Sequence, residues 1–215
     1  MSARLRITEI FLSLQGETTF TGLPTVFVRL TGCPLRCGYC DTAYAFNGGA
    51  MRAVADIVAE VAGYRVRHVT VTGGEPLAQP NALPLLRALC DAGHTVSLET
   101  SGALDVSGVD PRVARIIDLK TPGSGEVARN LWTNLDHCTS RDQIKFVICD
   151  RADYDWARLK CDEHRLGERV GEVLFSPSTG QLSARDLADW IVADRLPVRL
   201  QVQLHKLLWG DQPGR

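Results

Sequence analysis

Along the chain, short runs rich in β-branched and other apolar residues alternate with longer stretches whose apolar positions recur at helical spacing. The runs TVFVRL (25–30), HVTVTG (68–73), HTVSLET (94–100), RIIDLK (115–120), QIKFVIC (143–149), EVLFSP (172–177) and VRLQVQL (198–204) predict six or seven strands. Between them the spacing predicts helices over roughly 52–62, 81–92, 151–163 and 183–194, the last opening on Ser183 as N-cap with Asp186 three positions on. The segment ARNLWTNLDHC (128–138) fits either pattern. Repeated βα units predict an α/β fold with a parallel sheet and right-handed crossovers, closed into a barrel or opened into a doubly wound sheet. No linker, low-complexity segment or internal repeat interrupts the series, so one domain over 1–215 is expected.

The unusual residues fall at one place on this plan. Gly32 and Cys33 follow the first strand of the series, Gly73-Gly74-Glu75-Pro76 the second, Glu99-Thr100-Ser101-Gly102 the third, Lys120 the fourth and Ser176-Pro177 the sixth. All lie at the carboxyl ends of strands, the edge at which ligands gather in both parallel architectures.

Composition narrows the class. Apolar residues make up 45% and charged residues 23%, too apolar for disorder, and 24 basic against 25 acidic side chains leave a net charge of −1. No global field recruits nucleic acid or an anionic membrane. The N-terminus becomes polar too soon for a secretory signal, and no run approaches the roughly 18 apolar residues of a spanning helix, so a cytoplasmic protein is expected. Seven cysteines, an odd number without a regular framework, point to metal binding or redox chemistry rather than disulfides.

Three of those cysteines, Cys33, Cys37 and Cys40, form C-x3-C-x2-C in a loop with glycine and proline. Such spacing lets three sulfurs wrap one inorganic core, and three ligands on a four-iron cubane leave one iron open. A structural zinc site would want a fourth ligand, and Cys90, Cys138, Cys149 and Cys161 stand singly. A thioredoxin-like pair of Cys37 and Cys40 would leave Cys33 unexplained. Chance clustering of buried thiols sits badly with Pro34, Arg36 and Gly38.

Together with Tyr39 before the last cysteine and GGEP after the second strand, this motif resembles the radical S-adenosylmethionine (SAM) enzymes. The resemblance implies an open βα barrel of about six parallel strands. It also implies a 4Fe-4S cluster on the three cysteines, with SAM chelating the open iron. Gly73, Gly74 and Glu75 would then hold the methionyl amine. Tyr39 and Cys40 would lie on the adenine side, and Asp118, Lys120, Ser176 and Pro177 around the adenosyl group.

A second layer comes from EIFLSLQGETTFTGLPTVFVRLTGCPLRCGYCDT (9–42), followed by VTVTGGEP, SLETSG, DLKTPGSGE and QLHK. These stretches span nearly the whole chain and resemble the 7-carboxy-7-deazaguanine synthase family. That resemblance implies a carbon–nitrogen lyase of queuosine-type 7-deazapurine biosynthesis, which contracts the ring of 6-carboxy-5,6,7,8-tetrahydropterin with loss of ammonia. It assigns Leu14, Gln15, Gly16, Glu17, Arg29, Thr72 and His205 to the pterin and Thr42 to a Mg²⁺ ion. It further implies a flavodoxin- or ferredoxin-type electron donor and a homodimer. Buried pairings to the substrate's amide and amino edge would discriminate strongly, because an unmatched polar group costs roughly 1–3 kcal/mol. Read without the resemblance, Gln15-Gly16 is a turn, Arg29 an exposed strand residue, His205 a strand-edge histidine and Asp41-Thr42 a cap. The tail HKLLWGDQPGR runs on beyond His205 and Lys206, a departure from family members whose terminal carboxylate enters the pocket. An activase that makes a glycyl radical in a partner enzyme, or an iron- or zinc-binding interaction module, would share the cysteines.

Overall fold

The computed structural model describes residues 3–210, Gln212 and Gly214. In chain order its elements are β1 (Arg4–Leu14), β2 (Pro24–Leu30), β3 (Ala50–Ala53), α1 (Val54–Gly63), β4 (His68–Gly73), α2 (Ala82–Asp91), β5 (Thr95–Thr100), β6 (Ala114–Asp118), β7 (Gln143–Ile148), α3 (Arg151–Glu163), α4 (Leu166–Arg169), β8 (Glu172–Pro177), α5 (Ala184–Asp194), β9 (Arg199–Leu200) and α6 (Leu204–Trp209). The strands form one open sheet in the order β3-β1-β2-β4-β5-β6-β7-β8-β9. From β2 to β9 every neighbour is parallel, while β1 runs antiparallel to both β2 and β3.

Alternation within the parallel strands separates the two faces of the sheet. Val26, Val28 and Leu30 of β2, Val69 and Val71 of β4, Val96 and Leu98 of β5, Ile144 and Phe146 of β7, and Val173 and Phe175 of β8 share one buried core. Ile57 and Val61 of α1, Leu85, Leu86 and Leu89 of α2, Tyr154 of α3 and Leu187 and Ile191 of α5 complete it. The intervening positions carry Arg29, Thr72, Glu99, Asp118, Lys145 and Ser176, all of which border one cavity. Parallel strands covered on both faces usually read as continuous apolar runs. Here the second face curls around polar space, and period-two alternation records it.

The predicted parallel series is present, with β4, β8 and α3 at the bounds read from sequence. Four details differ. β1 was not anticipated because its apolar positions change phase: a bulge between Ile7 and Glu9 puts Leu5 and Ile7 in one register and Ile10, Leu12 and Leu14 in the other. β3 occupies the first residues of the helix predicted from 52. The run 198–204 keeps only two strand residues, because the side chain of Gln203 turns away to Glu17 and Asp41 and Leu204 starts α6. Within 128–138 the chain forms two 3₁₀ segments, Val127–Arg129 and Trp132–His137.

Candidate active site

A cavity of about 630 Å³ lies on the polar face of the sheet, within the size range of small-molecule sites. Its two ends are built from different parts of the chain. β1 runs against the parallel strands, so Leu14 pairs with Pro24 at the start of β2, and the loop after β1 enters from the amino-terminal end. The loop after β2, with the three cysteines, stands at the carboxyl end.

Backbone hydrogen bonds fix the cysteine loop. The N–H of Gly32 donates to Ala45 O at 2.8 Å, that of Glu75 to Gly32 O at 2.8 Å and that of Gly38 to Ser124 O at 3.0 Å. The carboxylate of Glu126 accepts from the N–H of Arg36 at 2.6 Å. Cys33, Cys37 and Cys40 all border the cavity, and all seven cysteines are free thiols. Burial pushes the thiols of Cys33 and Cys37 above the ordinary range. It pushes the isolated Cys161 up to about 12.

Close approach explains the glycines. A Cβ on Gly73 would stand 2.3 Å from Leu30 O, and one on Gly74 would stand 2.2 Å from Gly32 O. The turn after β4 therefore lies flat against the cysteine loop, which only glycine permits. Behind it Glu75 is fully buried and does not border the cavity. Its carboxylate accepts from Leu77 N at 2.9 Å, Thr100 Oγ1 at 2.9 Å, Ser101 N at 2.7 Å and Ser101 Oγ at 2.6 Å. The Glu75 carboxylate thus braces the turn. Glu75→Ala would strand the buried N–H of Ser101, the part-buried N–H of Leu77 and the hydroxyls of Thr100 and Ser101, and a loss of about 3 kcal/mol of stability is expected by guanidinium unfolding.

Tyr39 of the cysteine loop, Asp118, Lys120, Ser176 and Pro177 border the same space. Lys120 Nζ pairs with Asp118 Oδ2 at 3.0 Å and lies 5.9 Å from the centre of the Tyr39 ring. The hydroxyl of Tyr39 and Oδ1 of Asp118 are buried without a hydrogen-bond partner among the described residues. Burial drives the Tyr39 phenol far above its usual range, so it stays a neutral donor. Two unmatched polar atoms beside three thiols and a bare backbone turn fit a ligand with its own donors and acceptors.

The other end belongs to the loop after β1. Gln15 donates to Thr70 Oγ1 at 3.0 Å. Gly16 meets the C-terminal helix: a Cβ there would stand 2.1 Å from His205 Nδ1, and Leu204 N donates to Gly16 O at 2.9 Å. Glu17 pairs with Lys145 and accepts from Gln203 Nε2 at 2.9 Å. Burial alone would raise its carboxyl, yet the charge of Lys145 and these hydrogen bonds hold it below the usual range. Glu99, accepting from Thr72 Oγ1 at 3.0 Å, goes the other way, raised by burial and by the charge of Glu17. Burial also lowers His205. Arg29 donates through Nε to Glu9 Oε1 at 2.6 Å, and Tyr44 donates to the same oxygen at 2.8 Å. Among the described residues the terminal nitrogens of Arg29 make no hydrogen bond.

Of the residues that the resemblance assigns to the cluster, SAM, the Mg²⁺ ion or the pterin, all but Glu75 border this cavity, including Leu14, Thr42 and Thr72. Thr42 donates to Asp41 Oδ1 at 2.9 Å. Gly210, Gln212 and Gly214 border it too, so the longer tail reaches the cavity; the terminal carboxylate, on Arg215, lies outside the described residues. Among the described residues no three His, Cys, Asp or Glu side chains converge as a single-ion site requires. In a cubane each thiolate binds a different iron, so the ligands need not meet at a point. Sequence reasoning left out Lys145 and Gln203. Lys145 could have been found by its alternation with Gln143 and Val147 in the run 143–149, whereas nothing local marks Gln203.

Comparison with known proteins agrees with this geometry. Residues 27–122 match the radical SAM superfamily. The chain is 45% identical over 211 residues to the 7-carboxy-7-deazaguanine synthase of Chlorobaculum tepidum, covering 97% of this chain and 96% of that one. It is 43% identical to the synthase of Koribacter versatilis, covering 97% and 98%. The crystal structure of QueE from Escherichia coli superposes with a TM-score of 0.74 at 26% identity, covering 94% of this chain and 95% of that chain.

Proposed function

The chain belongs to the 7-carboxy-7-deazaguanine synthase family of the radical SAM superfamily, and from that premise we propose how its residues divide the reaction. The enzyme converts carboxytetrahydropterin to 7-carboxy-7-deazaguanine in queuosine biosynthesis. Superfamily membership implies a 4Fe-4S cluster and SAM. Together they supply the one-electron chemistry that removes a hydrogen atom from the substrate.

The remaining work falls to the chain. Cys33, Cys37 and Cys40 hold the cluster, and the backbone of Gly73 and Gly74, braced by Glu75, takes the amine of SAM. Tyr39, Asp118, Lys120, Ser176 and Pro177 enclose its adenosyl part, the free phenol and carboxylate oxygen meeting ligand atoms. At the far end Leu14, Gln15, Gly16, Glu17, Thr72 and His205 take the pterin ring. Arg29, held through Nε by Glu9, turns its two terminal nitrogens to the substrate carboxylate, the fork geometry that suits carboxylate recognition. Thr42 contributes its hydroxyl to a Mg²⁺ ion, which takes few protein oxygens and keeps several waters. The walls orient both ligands and exclude water. A flavodoxin- or ferredoxin-type protein supplies the electron, and the enzyme works as a cytoplasmic homodimer. Among the described residues no helix is long and apolar enough to cross a membrane.

The observation that carries this reading is the continuity of one cavity from the three thiols to Glu17 and Arg29. A small-molecule pocket of this kind favours a synthase over an activase, which must admit a protein segment. The test is anaerobic incubation of reconstituted enzyme with reductant, SAM, Mg²⁺ and carboxytetrahydropterin. The deazapurine should appear by mass spectrometry, and Thr42→Val should weaken the response to Mg²⁺ while leaving iron content unchanged. A product-free reaction, or an equal Mg²⁺ response in both proteins, would remove the corresponding part of the reading.

A further inference from the structure

β7 grips the loop after β1 at two points. Gln143 accepts from the N–H of Thr19 at 3.0 Å and donates to Thr19 Oγ1 at 2.8 Å. Two residues on, and so on the same face, Lys145 pairs with Glu17, two residues before Thr19. Glu17 also accepts from Gln203 of the chain entering α6. The Gln143 contact by itself pins the loop to the strand. A second, ionic contact therefore calls for a different explanation.

Lys145 is an expensive residue for this position. Its ammonium is largely withdrawn from water, with 15% of the side chain exposed. At a buried strand position a well-packed apolar side chain often stabilises more than an ion pair does. What the ammonium provides is control over Glu17. A carboxylate that accepts from N–H donors has to be ionised and aimed, and burial opposes both. Lys145 is the largest influence opposing that burial, and its own proton is held firmly by Glu17, Asp118 and Glu99. The other charged groups around the pair are Asp41 beside the cysteine loop, His205 and Lys206 of α6 and Lys120 after β6, with Arg29 of β2 facing the neighbouring Glu99.

We propose that Lys145 is a positioning residue for substrate recognition: through its ion pair it holds Glu17 as an oriented anion whose remaining lone pairs accept the adjacent N–H donors of the substrate's aminopyrimidinone ring. The proposal rests on the reaction assigned above. It makes Lys145 act through Glu17, not on the reacting atoms.

The test is binding of 7-carboxy-7-deazaguanine to the reconstituted enzyme, measured by calorimetry at pH 6.5 and pH 8.5, with the unaltered protein as reference at each pH. Lys145→Met is expected to bind at least about 10-fold more weakly at the lower pH. Without its ion pair, the buried carboxyl of Glu17 keeps its proton to higher pH, so the deficit shrinks as the pH rises and the charge returns. Lys145→Arg keeps the charge and should bind close to normally. In an E17Q background K145M should cost nothing further, because its route of action is already gone. An equal deficit at both pH values, an additive loss in the E17Q background, or undiminished binding by K145M would each overturn the proposal. If K145M does not fold, Lys145→Gln is measured in its place, and unfolding of both would assign Lys145 to stability alone. Failure of the unaltered protein to bind the compound and to turn over would instead remove the functional assignment beneath it.

Discussion

Cys37→Ala is expected to yield a folded protein that stays colourless after anaerobic reconstitution with iron and sulfide and shows no turnover. The loop does not need the thiol for its shape. Gly38 is tied to Ser124 O, Arg36 to Glu126 and Gly32 to Ala45 O, all through backbone N–H groups. The unloaded variant should therefore unfold within about 1 kcal/mol of the unloaded parent, as substitutions outside the core usually do. Cys33→Ala and Cys40→Ala should behave alike, since with three ligands none is spare. Iron content, charge-transfer absorption and product yield check the result. A variant that kept full iron and turned over would remove these thiols from the cluster.

Asp142→Ala is expected to do the reverse, removing stability while sparing the chemistry. Asp142 is fully buried just before β7 and accepts from Arg115 N, Nε and Nη2 and from the N–H and hydroxyl of Thr139. Removing it leaves a buried guanidinium and two N–H groups without partners. Breaking a buried pair from one side typically costs about 3–5 kcal/mol. For a chain of this size that lowers the thermal midpoint by roughly 10 °C. Calorimetry checks this, and below its midpoint the variant should retain iron content and substrate affinity. A shift of only a degree or two would show that Arg115 finds water or another acceptor.

Residues legible in the sequence were those whose role is local. The cysteine spacing, the glycines of the turn after β4 and the polar punctuation at strand ends all sit next to the features they serve. The phase change in β1 erased the alternation that would have revealed a strand, and 198–204 alternated well but leaves the sheet after Leu200, with Gln203 turned to Glu17 and Asp41. Lys145 lies inside a strand rather than at its end, where the other polar site residues gather, although a lysine inside a parallel strand is itself a signal. The side-chain partners of Glu75, Thr100 and Ser101, stand 25 and 26 residues away. No spacing rule in the sequence reports such a pairing.

The bulge in β1 governs more than twist. Two residues of β1 advance where β2 advances one, and only beyond that point does Glu9 come opposite Arg29. Thr8, the additional residue, hooks its hydroxyl to Thr31 at 2.7 Å. Whether Arg29 has a carboxylate at its side thus depends on how Thr8 is accommodated: in regular register Thr8 would stand opposite Arg29 and the Glu9 carboxylate would fall on the other side of the strand, whereas loss of Thr8 would remove the bulge and leave Glu9 where it is.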